Sequence, residues 1–99
     1  MTTIGFLRAA RADALEAREW YDRQAAGLGR DFVSALDTTL ARIAASPKRF
    51  AEIRSGIRKA NLARFPYSVF FESRPGHILV VAVFHAKRDP LVWRRRAAS

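Results

Sequence analysis

The sequence lacks cysteine entirely, and it has no long apolar run. The absence of thiols excludes disulfide bonds, thiolate nucleophiles and thiolate-ligated metal ions. A transmembrane helix needs about 20 consecutive apolar residues, and the longest run here is far shorter. The first residues do not show a basic stretch followed by an apolar one, so we expect no signal peptide. These absences predict a soluble cytoplasmic protein without a membrane partner.

Carboxylates are also scarce. Nine Asp and Glu residues oppose 18 Lys and Arg residues, which gives a formal net charge of +9 and a pI near 11.4. Such an imbalance costs self-repulsion and indicates a polyanionic partner such as nucleic acid, a ribosome or an acidic protein. With 99 residues, of which 49% are hydrophobic, the chain predicts one folded domain (1–99) with a single core.

The chain is organised around two predicted strands, at residues 67–72 and 77–85. Val, Ile, Phe and Tyr dominate both segments, and the sequence Arg74-Pro75-Gly76 between them is typical of a turn. The second segment contains ILVVAVF, which is apolar at both parities. A strand with one wet face alternates between apolar and polar residues, so we expect residues 78–84 to form a central strand that is covered on both faces.

Two helices are predicted before these strands. A weak first strand at 4–9 is expected to pair with the central strand. Asp13 followed by Glu16 resembles a capping box and predicts a helix over about 14–24. Gly27 and Gly29 break that helix, and a second helix then runs to Ala45, before Pro47. The apolar residues of the second helix recur at spacings of three and four: Leu28, Phe32, Val33, Leu36, Leu40 and Ile43.

The segment after the second helix is predicted to be a loop in which Phe50 and Ile53 contact the core. An edge strand over 57–62 follows, because its basic residues suit a sheet edge. After Pro90, one helical turn closed by Trp93 is expected. The predicted fold class is therefore α+β in the order strand-helix-helix-strand-strand-strand, an antiparallel four-stranded sheet with an α-helical hairpin packed on one face.

The residues with possible chemistry are few. His85 ends the central strand and is either a general acid or base, or a histidine that fixes the strand end. Glu52 is either a base opposite His85 or an exposed loop carboxylate. The sequence has no phosphate-binding loop, nucleophile motif or metal-ligand spacing. We therefore expect no metal ion, no cofactor and no small-molecule substrate.

Several short motifs resemble the ParE/RelE toxin superfamily of type II toxin–antitoxin modules over residues 4–96. They are Trp20-Tyr21, Gly27-Leu28-Gly29 with Phe32, Ser46-Pro47 with Phe50, Ile57-Arg58, Leu62, Arg64-Phe65-Pro66-Tyr67, and His85-Ala86-Lys87-Arg88-Asp89-Pro90 with Trp93. The resemblance implies the fold predicted above. It also implies an acidic or amphipathic antitoxin partner, whose C-terminal segment wraps the toxin.

The superfamily includes two activities. RelE-like members cut mRNA on the ribosome, and under that alternative Arg58, His85 and Glu52 would be catalytic. ParE-like members act on DNA gyrase without cutting anything. The ending His-x-x-Arg-Asp-Pro, continuing to Trp93, is more similar to the ParE branch, which favours a non-enzymatic gyrase inhibitor. The residues expected to bind target or antitoxin are Arg58, Lys59, Arg64, Lys87, Arg88, Trp93 and Arg94.

Overall fold

A computed structural model describes residues 2–87 and 95–96 of the chain. Its elements are β1 (Thr3–Phe6), α1 (Arg8–Gln24), α2 (Leu28–Ala45), a 3₁₀ turn (Pro47–Arg49), β2 (Glu52–Arg54), β3 (Ile57–Asn61), β4 (Tyr67–Arg74) and β5 (His77–His85). The five strands form one sheet in the order β1-β5-β4-β3-β2. The α+β class is confirmed, and so is a helical hairpin that packs on the sheet.

The predicted sheet was wrong in two respects. The observed sheet has five strands, because residues 52–54 form the short strand β2 where a loop was expected. It is also mixed, because β1 runs parallel to β5. Strand β2 takes the edge position, so β3 is not an edge strand, and Ile53, which was expected to contact the core, is 40% exposed. A three-residue strand bearing Glu52 and Arg54 has no apolar alternation to reveal it, and its charges suit an edge.

The central position of β5 is confirmed. It pairs with β4 on one side and with β1 on the other, and Val80, Val81 and Ala82 are fully buried. The register against β4 shifts at Phe70 and Phe71, which leaves Val81 as the extra residue of a bulge. Val80 therefore packs in the cluster under the helices, whereas Val81 and Ala82 pack in a second cluster.

Helix α1 begins earlier than predicted, and the capping box is wrong. The helix starts at Arg8, directly after Leu7, whose amide donates to the carbonyl of Val80 at 2.9 Å. Asp13 therefore lies inside the helix, where its amide is already satisfied by the helix itself. Its carboxylate instead accepts a hydrogen bond at 3.1 Å from the backbone amide of Val83 in β5. A contact between positions so distant in sequence leaves no local signal.

The helical hairpin depends on close approach at Gly29. Its amide donates to the Asp22 carboxylate at 2.9 Å, and a Cβ at this position would lie only 2.6 Å from the backbone oxygen of Arg18. Helix α2 ends at Ala45 before Pro47, as predicted, and its buried face includes Phe32, confirming the apolar stripe. Within the described residues, none of the helices is long and apolar enough to cross a membrane. The predicted final turn with Trp93 lies outside the described residues.

Candidate functional site

An aromatic groove lies between α1 and the adjoining ends of β4 and β5. It encloses about 470 Å³, and it is lined mainly by Trp20, Tyr21, Pro66, Tyr67, Val83 and His85. Trp20 is 47% exposed, whereas its neighbour Tyr21 is buried. Because an exposed Trp beside a preformed apolar recess is typical of binding surfaces, we call this feature the aromatic groove and treat it as the first candidate site.

The wall of the groove rests on a packed aromatic cluster. The Tyr21 ring stacks on Phe32 at 5.4 Å and meets the edge of Phe65 at 4.8 Å. Phe32 also contacts Tyr67 at 5.1 Å. Burial raises the pKa of the Tyr21 phenol above its ordinary value. These contacts fix the shape of the groove, because each ring is held by at least two others.

His85 lies at the end of the groove and is half-buried. Its ring packs edge-on against Tyr67 at 5.3 Å, and its Nδ1 accepts a hydrogen bond at 3.0 Å from the backbone amide of Lys87. Only Nε2 is therefore left to carry the proton in the neutral ring. A backbone contact of this kind, at the end of the strand, fits a histidine that fixes the strand end.

Asp13 lies beside the groove as the acceptor of several hydrogen bonds. Besides the Val83 amide, it accepts two bonds from the Arg96 guanidinium, and the second of these joins Nη2 to Oδ1 at 3.2 Å. Arg96 also lies over the Phe84 ring at 4.7 Å. Since Asp13 is paired, the remaining charges that line the groove are Glu16 and Arg23, of opposite sign. The aromatic groove is therefore nearly neutral.

The structure does not assemble the three residues of the ribonuclease alternative. Glu52 and Arg58 are adjacent, with an Oε1 to Nη2 distance of 3.8 Å. His85 pairs with Tyr67 on β4, whereas Arg58 pairs with Phe71 on the same strand. Arg58 and His85 are therefore offset by four residues along the strand direction and by two strand spacings across the sheet. This offset places their Cα atoms roughly 16 Å apart. Their polar groups also point to different surroundings, His85 to the groove and Arg58 to the Phe50 carbonyl.

The cations that were expected to bind a partner do not share one face. Arg58 lies near Phe50, whereas Lys59 extends over the Phe70 ring of the second cluster. Arg64 lies in the loop beside α2, and it has a positive φ of 71°. Lys87 is exposed beside the aromatic groove. The other expected binding residues, Arg88, Trp93 and Arg94, lie outside the described residues.

The positive charge is instead concentrated in the later part of the chain. Residues 1–41 carry five cations and six carboxylates, whereas residues 42–99 carry thirteen cations and three carboxylates. Within this second part, Arg42, Arg49 and Arg58 surround Phe50. We call this group, together with Lys48 of the 3₁₀ turn, the cationic end. It is the second candidate site.

Sequence reasoning missed most of the groove. Asp13 was assigned to a helix cap, and neither Trp20 nor Pro66 was among the residues expected to bind target or antitoxin. Only the motifs that carry the family resemblance included Trp20 and Tyr67, without showing that they lie together. Within the described ranges, no cluster of three or more His, Cys, Asp and Glu side chains is placed to hold a metal ion.

The comparisons with known proteins agree with this fold. The model of a family described as the ParE toxin of the parDE type II toxin–antitoxin system matches residues 4–90. Among solved structures, the chromosomal ParDE toxin–antitoxin system from P. aeruginosa aligns with a TM-score of 0.74. The alignment covers 86% of this chain and 96% of that one at 18% identity, so it supports the fold alone. No curated protein matches the chain. Because the family model spans most of the sequence, this protein belongs to the ParE toxin family of type II toxin–antitoxin systems.

Proposed function

We propose that this toxin inhibits DNA gyrase without cleaving a substrate, and that a cognate antitoxin neutralises it. Membership of the ParE family supports this proposal over ribosome-dependent mRNA cleavage. The observation that carries the choice is the separation of Arg58 from His85 by two strand spacings and four residues of β4. Cleavage by attack of a 2′-hydroxyl group needs a base, an acid and cations around one phosphate, and the described residues do not gather such a set.

The aromatic groove is the surface on which we expect the antitoxin to bind. It combines an exposed Trp20 with a recess of about 470 Å³ that has little net charge. An amphipathic peptide could bury its apolar side chains there while its charged residues remain in water. Since the cationic end lies elsewhere, its charge would accelerate the encounter with an acidic antitoxin more than it would stabilise the docked complex.

The gyrase proposal is tested with His85→Ala and two assays. We expect purified toxin to lower gyrase supercoiling activity and to leave ribosome-bound mRNA intact. His85→Ala should retain most of this inhibition, because truncation of one contact on a binding surface usually costs little. Loss of a catalytic acid or base typically lowers a rate by about 10²- to 10⁴-fold.

Melting of the variant beside the parent protein serves as the folding control, since His85 packs against Tyr67. Cleavage of mRNA on the ribosome that disappears in His85→Ala would establish the ribonuclease alternative. If neither assay responds, the toxin acts on another target and the gyrase proposal is wrong.

A further inference from the structure

Four of the described cations, Arg42, Lys48, Arg49 and Arg58, lie together at the cationic end, and we propose that this surface binds the phosphate backbone of duplex DNA. The preference for DNA over RNA rests on the proposed function, because gyrase acts on DNA. Direct contact with DNA by this chain goes beyond that function, since an inhibitor of gyrase could bind the enzyme alone.

The geometry of the cationic end begins with Phe50. The Arg42 guanidinium lies over its ring at 5.6 Å, and Nη1 of Arg58 donates to its carbonyl oxygen at 2.7 Å. A recess of about 450 Å³ opens beside the ring, between the end of α2 and the 3₁₀ turn, and Arg42, Ser46 and Arg49 line it. Two guanidinium groups and one hydroxyl group around this opening could therefore donate hydrogen bonds to a phosphate group.

The cations of this recess are not neutralised by the protein. Among the residues that the structure describes, no carboxylate lies within ion-pair distance of Arg42 or Arg49, and no carboxylate lines the recess. Glu52 is the nearest acidic residue on the adjoining strand, and it faces Arg58 at 3.8 Å. The repulsion among these cations is a cost that a bound polyanion would remove.

A structural role explains only part of the group. Arg42 lies in the last turn of α2, where a cation favours the helix dipole. This argument does not extend to Arg49 or Lys48, which lie beyond the helix and are exposed. Helix α1 shows the contrast, since its four arginines accompany four carboxylates along the same helix. The cations of the cationic end have no comparable set of carboxylates beside them among the described residues.

A phosphodiester backbone fits this surface better than an acidic peptide does. Guanidinium groups bind phosphate oxygens in pairs, and the regular phosphates of a duplex can occupy several cations at once. The ring of Phe50 is covered by Arg42 on its face and contacts Phe71 at 5.9 Å, so it is not available as a stacking platform for single-stranded bases. Contacts to the backbone alone predict binding that does not depend on base sequence.

The test measures binding of the full chain to a 30-base-pair duplex by fluorescence anisotropy over a range of salt concentrations. Each phosphate contact contributes about −0.9 to the slope of log K against log salt. Arg42→Gln/Arg49→Gln should therefore reduce the magnitude of the slope by about 2 and weaken binding at least about tenfold near 0.1 M salt. Lys48→Gln/Arg49→Gln, which leaves the contact of Arg42 with Phe50 intact, should give a similar loss.

Arg18→Gln/Arg30→Gln is the matched control, because it removes the same charge from exposed positions of the helical hairpin. We expect it to change the slope much less. An equal loss in the control would show a response to net charge alone and would overturn the proposal, as would no loss in the cationic-end variants. Tighter binding of a single-stranded RNA of equal length would assign the surface to RNA and overturn the choice of DNA. Competition by polyglutamate at equal charge would overturn it in favour of an acidic protein.

The two proposals can fail separately, because the binding assay contains no gyrase. Gyrase inhibition without DNA binding would leave the proposed function intact and remove this inference. If the parent chain binds DNA, the cationic-end variants do not, and gyrase is not inhibited, this inference would stand and the proposed function would be wrong.

Discussion

The aromatic groove and the cationic end differ in how their side chains are held. The groove lies on a cluster in which Tyr21, Phe32 and Phe65 contact one another at 4.8 to 5.5 Å, and its charges nearly cancel. At the cationic end, a single half-buried ring, Phe50, supports several exposed cations. The groove therefore suits a partner that is recognised by shape, and the cationic end suits one that is recognised by charge. A protein can bind two partners at once when its surfaces are separated in this way.

The largest expected effect compares the supporting rings of the two regions. Phe32→Ala should destabilise the fold by about 3–5 kcal/mol, because Phe32 is fully buried and a cavity would remain among its aromatic neighbours. Phe50→Ala should cost only about 1 kcal/mol, since its ring is half-buried. Urea denaturation of both variants measures the difference. Equal losses would mean that the cationic end is as firmly packed as the groove.

An intermediate effect is expected in antitoxin binding. Trp20→Ala should weaken the complex with the cognate antitoxin by about 2 kcal/mol or more, because large aromatic residues are the usual hot spots of interfaces. Arg49→Gln should change the affinity by less than about 1 kcal/mol, since it removes only long-range attraction. Isothermal titration calorimetry measures both affinities. A greater loss for Arg49→Gln would place the antitoxin at the cationic end and contradict the assignment of the groove.

The smallest effect concerns alkaline pH. Burial raises the pKa of Tyr21 above its ordinary value of 10.0, so folding favours the neutral phenol. The contribution of Tyr21 to the free energy of unfolding is fully present below the pKa of this phenol in the unfolded state. It is lost as the pH rises through the higher pKa of the folded state. Melting temperatures should therefore fall less steeply above pH 10 in Tyr21→Phe than in the parent. Identical slopes would show that Tyr21 does not control this part of the stability.

Much of the fold could be predicted because its signals are local. The apolar spacing of α2 and its end before Pro47 follow from residues three to four positions apart. The run of Val and Ile in β5 required cover on both faces, and the structure provides it. Residues 52–54 and the direction of β1 could not be predicted in the same way. Strand β2 depends on its partner β3, and the direction of β1 depends on its pairing with the distant strand β5, in which Thr3 lies opposite His77.

The candidate sites were harder to predict than the elements. The ribonuclease alternative grouped Arg58, His85 and Glu52 through the family resemblance, but only Glu52 and Arg58 are adjacent in the structure. Proton-transfer groups must meet at one atom, and no local pattern reports a distance across three strands. The role of Asp13 could not be predicted from local patterns either, because its partners Val83 and Arg96 are 70 and 83 positions away along the chain.

The sequence by itself determined the charge, the helix boundaries near glycine and proline, and the central strand of this toxin. These features depend on composition and on short-range periodicity, which are determined by residues that are close together along the chain. The tertiary structure alone decided that Trp20 and His85 share a groove, and that Arg42, Arg49 and Arg58 surround one ring. Such groups form only when the hairpin packs on the sheet, because packing brings together residues that have no relation along the chain.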